Sequence, residues 1–93
     1  GLPAPGAIFI GGGASMEGLV EAAFAALAPG GRLVVNAVTI ETQARLIAQH
    51  RERGGSLVQI ALAHADPVGR FHGWRPAMPV TQWAVGKPYE RAP

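Results

Sequence analysis

The segment Gly69-Arg70-Phe71-His72-Gly73-Trp74-Arg75-Pro76 places two guanidinium groups and an indole close together in the chain. A guanidinium grips carboxylates in a forked, two-bond geometry, and both guanidinium and indole planes stack on flat conjugated rings. Arg70, Trp74 and Arg75 are therefore candidates for holding a planar ligand that bears acid groups. The plainer reading is a solvated basic loop in which Trp74 is a packing anchor. A second candidate is Gly11-Gly12-Gly13, which lies between an apolar run and a helical pattern. Glycines at that place let a small molecule approach the backbone beside a helix N-terminus, although a tight strand-to-helix turn with no ligand also needs them. A third is Asn36, a polar interruption near the carboxyl end of an otherwise apolar strand. Ligands of open α/β sheets collect at that end, but a buried amide satisfied by the backbone would look the same.

Other chemistries find little support. The chain has no cysteine, so disulfide frameworks and thiolate metal sites are excluded. His50, His64 and His72 lack the spacing and companions of a metal site, and no metal is expected. The carboxylates form no close pair and no nucleophile motif is visible, so no catalytic residue is named. A dinucleotide-binding G-x-G-x-x-G starting at Gly11 would need glycine where Met16 stands. The next strand also ends near Asn36 rather than an acid.

These candidates sit on a regular order of elements. Ala7-Ile8-Phe9-Ile10 reads as a short strand buried on both faces. Ser15 is a natural N-cap, and Met16, Leu19, Val20, Ala23, Phe24 and Leu27 follow at helical spacing until Pro29-Gly30-Gly31. Leu33 to Val38 reads as a second buried strand. Thr39 can cap a second helix, with Ile40, Ala44, Ile47 and Ala48 expected on its inner face and Glu41, Arg45, Glu52 and Arg53 on its outer face; Gly54-Gly55 ends it. Leu57 to His64 alternates as a strand near a sheet edge does, with Val58, Ile60 and Leu62 on one face. Asp66 to Ala77 reads as a long loop, Met78 to Val85 as a final strand, and residues 87–93 as a tail. The pattern β-α-β-α-β-β calls for an α/β fold with a mixed sheet whose first strands are parallel.

Composition sets outer limits. Ninety-three residues make one domain at most, with 48% hydrophobic and 15% charged residues. So small a chain has the most surface to cover, and this low charge suggests that other protein covers part of it. A net charge of +2 is too weak for nucleic-acid binding, and no apolar run reaches a membrane span. The chain reads as a soluble, cytoplasmic piece of something longer.

The strings IFIGGGASMEGLVEAAFAALAPGGRLVVNAVTIETQ and GRFHGWRPAMPVTQW resemble the decarboxylating precorrin-6Y methyltransferases of cobalamin biosynthesis, specifically their C15-methylating domain. The LxPGGR piece is shared with many class I methyltransferases, whereas NAVTIETQ together with GWRPAMPVTQW is much more specific. The resemblance covers essentially residues 5–86. It implies the C-terminal half of a Rossmann-like, S-adenosylmethionine-dependent class I methyltransferase with sheet order 3-2-1-4-5-7-6, of which this chain would supply strands 4 to 7. It also implies methyl transfer to C15 of a tetrapyrrole, with decarboxylation of the ring-C acetate chain. By that resemblance Gly11, Gly12 and Gly13 lie beside the methyl donor, Asn36 lies at the active-site rim, and Arg70, Trp74 and Arg75 face the precorrin. The family's donor-binding loop and ribose-binding acid would lie upstream, so an N-terminal half and a homo-oligomer are expected partners. Two rivals remain: a non-catalytic βα binding or assembly module, and a fragment of an NAD(P)-dependent enzyme.

Overall fold

The computed structural model describes residues 4–11 and 18–88. Ser15, Gly12 and Gly13 lie outside the described residues. The elements are β1 (Ala7–Ile10), α1 (Leu19–Ala26), β2 (Arg32–Ala37), α2 (Ile40–Arg53), β3 (Ser56–Ile60), β4 (Ala63–Val68), β5 (Phe71–Pro76) and β6 (Val80–Gly86). Four strands form one sheet in the order β1-β2-β6-β3, and β4 and β5 form a separate antiparallel ribbon. β1 and β2 are parallel, while β6 runs antiparallel to both β2 and β3. The sheet is therefore mixed with its first two strands parallel, as expected.

Alternation along β2 fixes the core. Leu33, Val35 and Ala37 are fully buried, whereas Val34 and Asn36 on the other face are only half-buried. Across the ladder Val85, Trp83 and Thr81 stand opposite Leu33, Val35 and Ala37. Both helices cover this same face: Val20, Ala23 and Leu27 from α1 and its C-cap, and Leu46 from α2, join one buried cluster with these strand residues. The helices also touch each other, through Gln49 Nε2 donating to Glu21 Oε1 at 3.2 Å and through Arg53 lying 4.5 Å above the Phe24 ring.

No described residue forms a layer on the opposite face. There β1 presents Phe9, 64% exposed, and β3 presents Val58, with Ile60 beyond it. The first strand is thus not buried on both faces here: Ile8 and Ile10 pack against the core, and Ala7 and Phe9 do not. The long apolar run follows parallel-sheet statistics, but among the described residues its second face has nothing to pack on.

Turn chemistry accounts for the connections. Gly31 brings α1 back into β2 at such close quarters that an added Cβ would lie 2.8 Å from the Ala28 carbonyl and 2.9 Å from that of Gly6. Thr39 caps α2, its Oγ1 accepting from the Thr42 amide at 3.1 Å. Gly54 and Gly55 both have positive φ, and a Cβ on Gly55 would come within 2.3 Å of the Ala84 carbonyl. The Gly54 carbonyl accepts from the Trp83 indole at 2.8 Å, which locks the end of α2 onto β6.

Three further expectations need correction. Leu57 to His64 is not one strand: β3 ends at Ile60, and His64 already belongs to β4, because that stretch pairs first with β6 and then with β5. The inner face of α2 is not Ile40, Ala44, Ile47 and Ala48. Ile40 and Ile47 are 79% and 52% exposed, and Leu46 alone is buried, flanked by half-buried Thr42, Gln43, Gln49, His50 and Arg53. The helix turns its polar stripe inward because Gln43, Gln49 and Arg53 have partners there: Gln43 bonds Thr81 Oγ1 on β6, and the other two reach α1. Residues 66–77 are not an irregular loop either. Most of them are strand, closed by the two-residue turn Gly69-Arg70 with Gly69 at φ 59°, the glycine-first arrangement of a type II′ hairpin.

Candidate functional site

Topology brings Gly11, Asn36 and the root of the segment carrying Arg70, Trp74 and Arg75 to one edge of the sheet. β1, β2 and β3 point the same way, because β1 is parallel to β2 and β3 shares with β2 an antiparallel neighbour, β6. Gly11 follows the carboxyl end of β1, and Asn36 is the last residue but one of β2. The β4–β5 arm leaves from the carboxyl end of β3 and returns into the start of β6. Gly11, Asn36 and the root of the arm therefore belong to the carboxyl rim, where side chains and loops of α/β sheets meet ligands, while Arg70 lies a strand's length away at the arm's turn.

Each candidate has a distinct setting. Gly11 is exposed, and among the described residues a Cβ there would meet only the Phe9 ring, at 3.9 Å. Asn36 accepts at Oδ1 from Gln82 Nε2, 3.0 Å away, and the two are directly opposed in the β2–β6 ladder. Gln82 is a residue the sequence reading missed. It and Asn36 are 46 positions apart, and nothing in the chain announces their register. A second tie lies one residue along the ladder on the helix-covered face, where Gln43 Nε2 donates to Thr81 Oγ1. Thus the two most specific strings of the sequence, around Asn36 and around Thr81-Gln82, are stitched together at the rim.

The arm separates what the sequence had grouped. Trp74 and Arg75 are adjacent on β5, so the strand pleat assigns them to opposite faces of the ribbon. Arg75 shares a face with His64, its cross-strand partner, and with Asp66, to which its Nε donates in an ion pair. Asp66 too was not singled out by sequence, since diagonal pairing appears only once the register is known. Trp74 shares the other face with His72 and is 77% exposed. Arg70 occupies the turn at the far end of the arm, exposed. Asp66, Val68, Gly73, Trp74, Arg75 and Pro76 nonetheless border one groove of about 250 Å³. Its mix of an acid, a guanidinium and an indole suits a ligand with both a flat surface and polar edges. Among the described residues, no group of three His, Cys, Asp or Glu side chains could hold a metal ion, and no helix is long and apolar enough to cross a membrane.

The family model described as "Precorrin methyltransferase domain" matches residues 1–87. The chain belongs to that family. It is 58% identical over 87 residues to a precorrin-6Y C(5,15)-methyltransferase [decarboxylating] from Sinorhizobium sp, covering 94% of this chain and 21% of that protein. A protein of the same name from Mycobacterium tuberculosis is 47% identical over 83 residues, covering 89% of this chain and again 21% of that protein. This chain therefore spans about a fifth of the length of these curated relatives. Two solved structures share the fold. The C-terminal domain of precorrin-6Y C5,15-methyltransferase from Rhodobacter capsulatus superposes with a TM-score of 0.81 at 44% identity, over 92% of this chain and 46% of that one. A precorrin-6Y C5,15-methyltransferase targeted domain from Corynebacterium diphtheriae gives 0.77 at 46% identity, over 85% and 46%. Family membership removes the NAD(P)-dependent reading and bears out the expected fold, a partial methyltransferase α/β domain.

Proposed function

We propose that the intact protein transfers a methyl group from S-adenosylmethionine to C15 of a precorrin and decarboxylates the ring-C acetate chain, in cobalamin biosynthesis. The observation that carries this reading is that Gly11, Asn36 and the root of the β4–β5 arm share one carboxyl rim, in a chain of the precorrin methyltransferase domain family. S-adenosylmethionine supplies an electrophilic methyl group on a sulfonium. The exposed backbone at Gly11, at the carboxyl end of β1, suits one wall of its site. The remaining donor contacts belong to the N-terminal half of the domain.

The chain's own residues have modest chemical work to do. An electron-rich macrocycle carbon is itself the nucleophile, so the protein must hold that carbon in line with the methyl group and keep water out. Asn36 offers an amide at the rim. Arg70 and Arg75 offer charge-assisted, forked hydrogen bonds to the acid side chains of the tetrapyrrole, and Trp74 a flat surface for its ring. The Arg75–Asp66 pair also supports the rival reading of the arm as an assembly element, in which that arginine only braces the ribbon.

The test is turnover by the intact protein. With methyl-labelled S-adenosylmethionine and precorrin-6Y, label should enter the tetrapyrrole and carbon dioxide should be released. No label transfer, with donor and tetrapyrrole both bound, would leave the assembly-module reading in its place.

A further inference from the structure

The Asn36–Gln82 pair lies on the sheet face that the two helices do not cover. Leu33, Val35 and Ala37 of β2 and Thr81, Trp83 and Val85 of β6 are buried beneath the helices. Alternation therefore puts Asn36 and Gln82 on the other side, both half-buried. Their neighbours there are apolar: Val34 and Ala84 stand two pairs along the ladder, and Val58 of β3 faces Gln82. Two primary amides in an apolar patch beside a rim need a reason, because a polar group removed from water costs free energy unless it is fully partnered.

An amide side chain has an acceptor end and a donor end. Gln82 Nε2 donates to Asn36 Oδ1 at 3.0 Å. That bond engages the acceptor end of Asn36 and leaves Nδ2, with its two N–H groups, as the end turned away from Gln82. We propose that Gln82 is a positioning residue. It fixes the Asn36 amide so that Nδ2 presents hydrogen-bond donors to a carboxylate oxygen of the ligand bound at the carboxyl rim. A lone asparagine could turn over at little cost and would offer a donor or an acceptor; the clamp selects the donor, and the apolar surround strengthens the bond it makes. This inference rests on the proposed methyltransferase reading, and deepens it by naming the group recognised and the residue that orients its recogniser. Both the amino-acid end of S-adenosylmethionine and the acid chains of the precorrin carry such an oxygen.

Two isosteric variants of the intact protein test it. In Gln82→Glu the new carboxylate can only accept, so Asn36 must turn its Nδ2 inward and its Oδ1 toward the ligand. The side-chain hydrogen bond survives with its direction reversed, Asn36 Nδ2 now donating, and the thermal midpoint should stay close to wild type. Affinity for the carboxylate-bearing ligand should fall about tenfold or more, the usual consequence of replacing a hydrogen bond to a charged group by an opposed acceptor. Asn36→Asp keeps the bond from Gln82 Nε2 but shows an oxygen to the ligand, and should lose affinity to the same degree. Separate calorimetric titrations with S-adenosylhomocysteine and with precorrin-6Y identify which of the two carries the carboxylate. A merely structural pair would leave both affinities unchanged in Gln82→Glu, and that result overturns the proposal, as does wild-type affinity in Asn36→Asp. Wild-type protein that binds neither probe would instead overturn the methyltransferase reading, so the two failures are distinguishable.

Discussion

The sheet body and the β4–β5 arm are both β-structure, yet they are held by different forces. In the body, each strand of the central pair turns one face under two helices, and Trp83, Leu33, Val35 and Leu46 are wholly removed from water. In the arm no residue is buried, and Val68, Phe71 and Trp74 are 61%, 77% and 77% exposed. Its order comes from the cross-strand ladder, the Gly69-Arg70 turn and the Arg75–Asp66 pair. An isolated two-stranded ribbon is marginal at best in water. Residues in the body are therefore chosen by packing, while those in the arm are free to be chosen for what they touch outside it.

The comparison breaks most visibly if the body's anchor is removed. Trp83→Ala in the intact protein should destabilise it by about 3–5 kcal/mol, the usual range for a fully buried tryptophan, and it also deprives the Gly54 carbonyl of its indole partner. Denaturant unfolding measures this. A loss comparable to that of an arm substitution would mean the core is not where the burial places it.

The next largest effect concerns the uncovered face. The 93-residue chain by itself should self-associate or aggregate, because Phe9 and Val58 expose apolar surface at roughly 25 cal/mol per Å² and β1 is a sheet-edge strand. Light scattering across a dilution series tests it; a dilutable monomer that unfolds cooperatively would sink the half-sheet picture. For the arm, Arg70→Ala and Arg75→Ala in the intact protein should each weaken precorrin binding about tenfold or more, with donor binding little changed. Wild-type affinity in both would make the arm structural and strike its arginines from the site.

Smaller effects sharpen the contrast. Lys87 Nζ donates to the carbonyls of Ala25, at 3.3 Å, and Leu27, at 2.8 Å, where α1 ends. Lys87→Met should cost about 0.5–1.5 kcal/mol of stability. Asp66→Asn, by contrast, should change stability by no more than about 0.5 kcal/mol, since an exposed ion pair is heavily screened. Thermal unfolding of the two variants side by side should rank them in that order.

The sequence alone determined the order and kind of the elements of the body, because apolar spacing, caps and glycines act locally. Thr39 caps α2, Gly54-Gly55 ends it, and Ala7–Ile10 forms a strand, all as local chemistry requires. It also determined the family, since the strings around Asn36 and Gln82 are specific as strings. Tertiary structure decided the rest. Which stripe of α2 turns inward depended on partners in α1 and β6 for Gln43, Gln49 and Arg53, residues that a hydrophobicity pattern assigns to solvent. That residues 66–77 are mostly ribbon depended on a register linking β4 to β5, and only that register parts Trp74 from Arg75 and joins Arg75 to Asp66. The pairing of Asn36 with Gln82 depended on β6 entering the sheet between β2 and β3. Hydrogen bonds between distant segments leave no periodic trace in either one, so no reading of the chain in order could have found them.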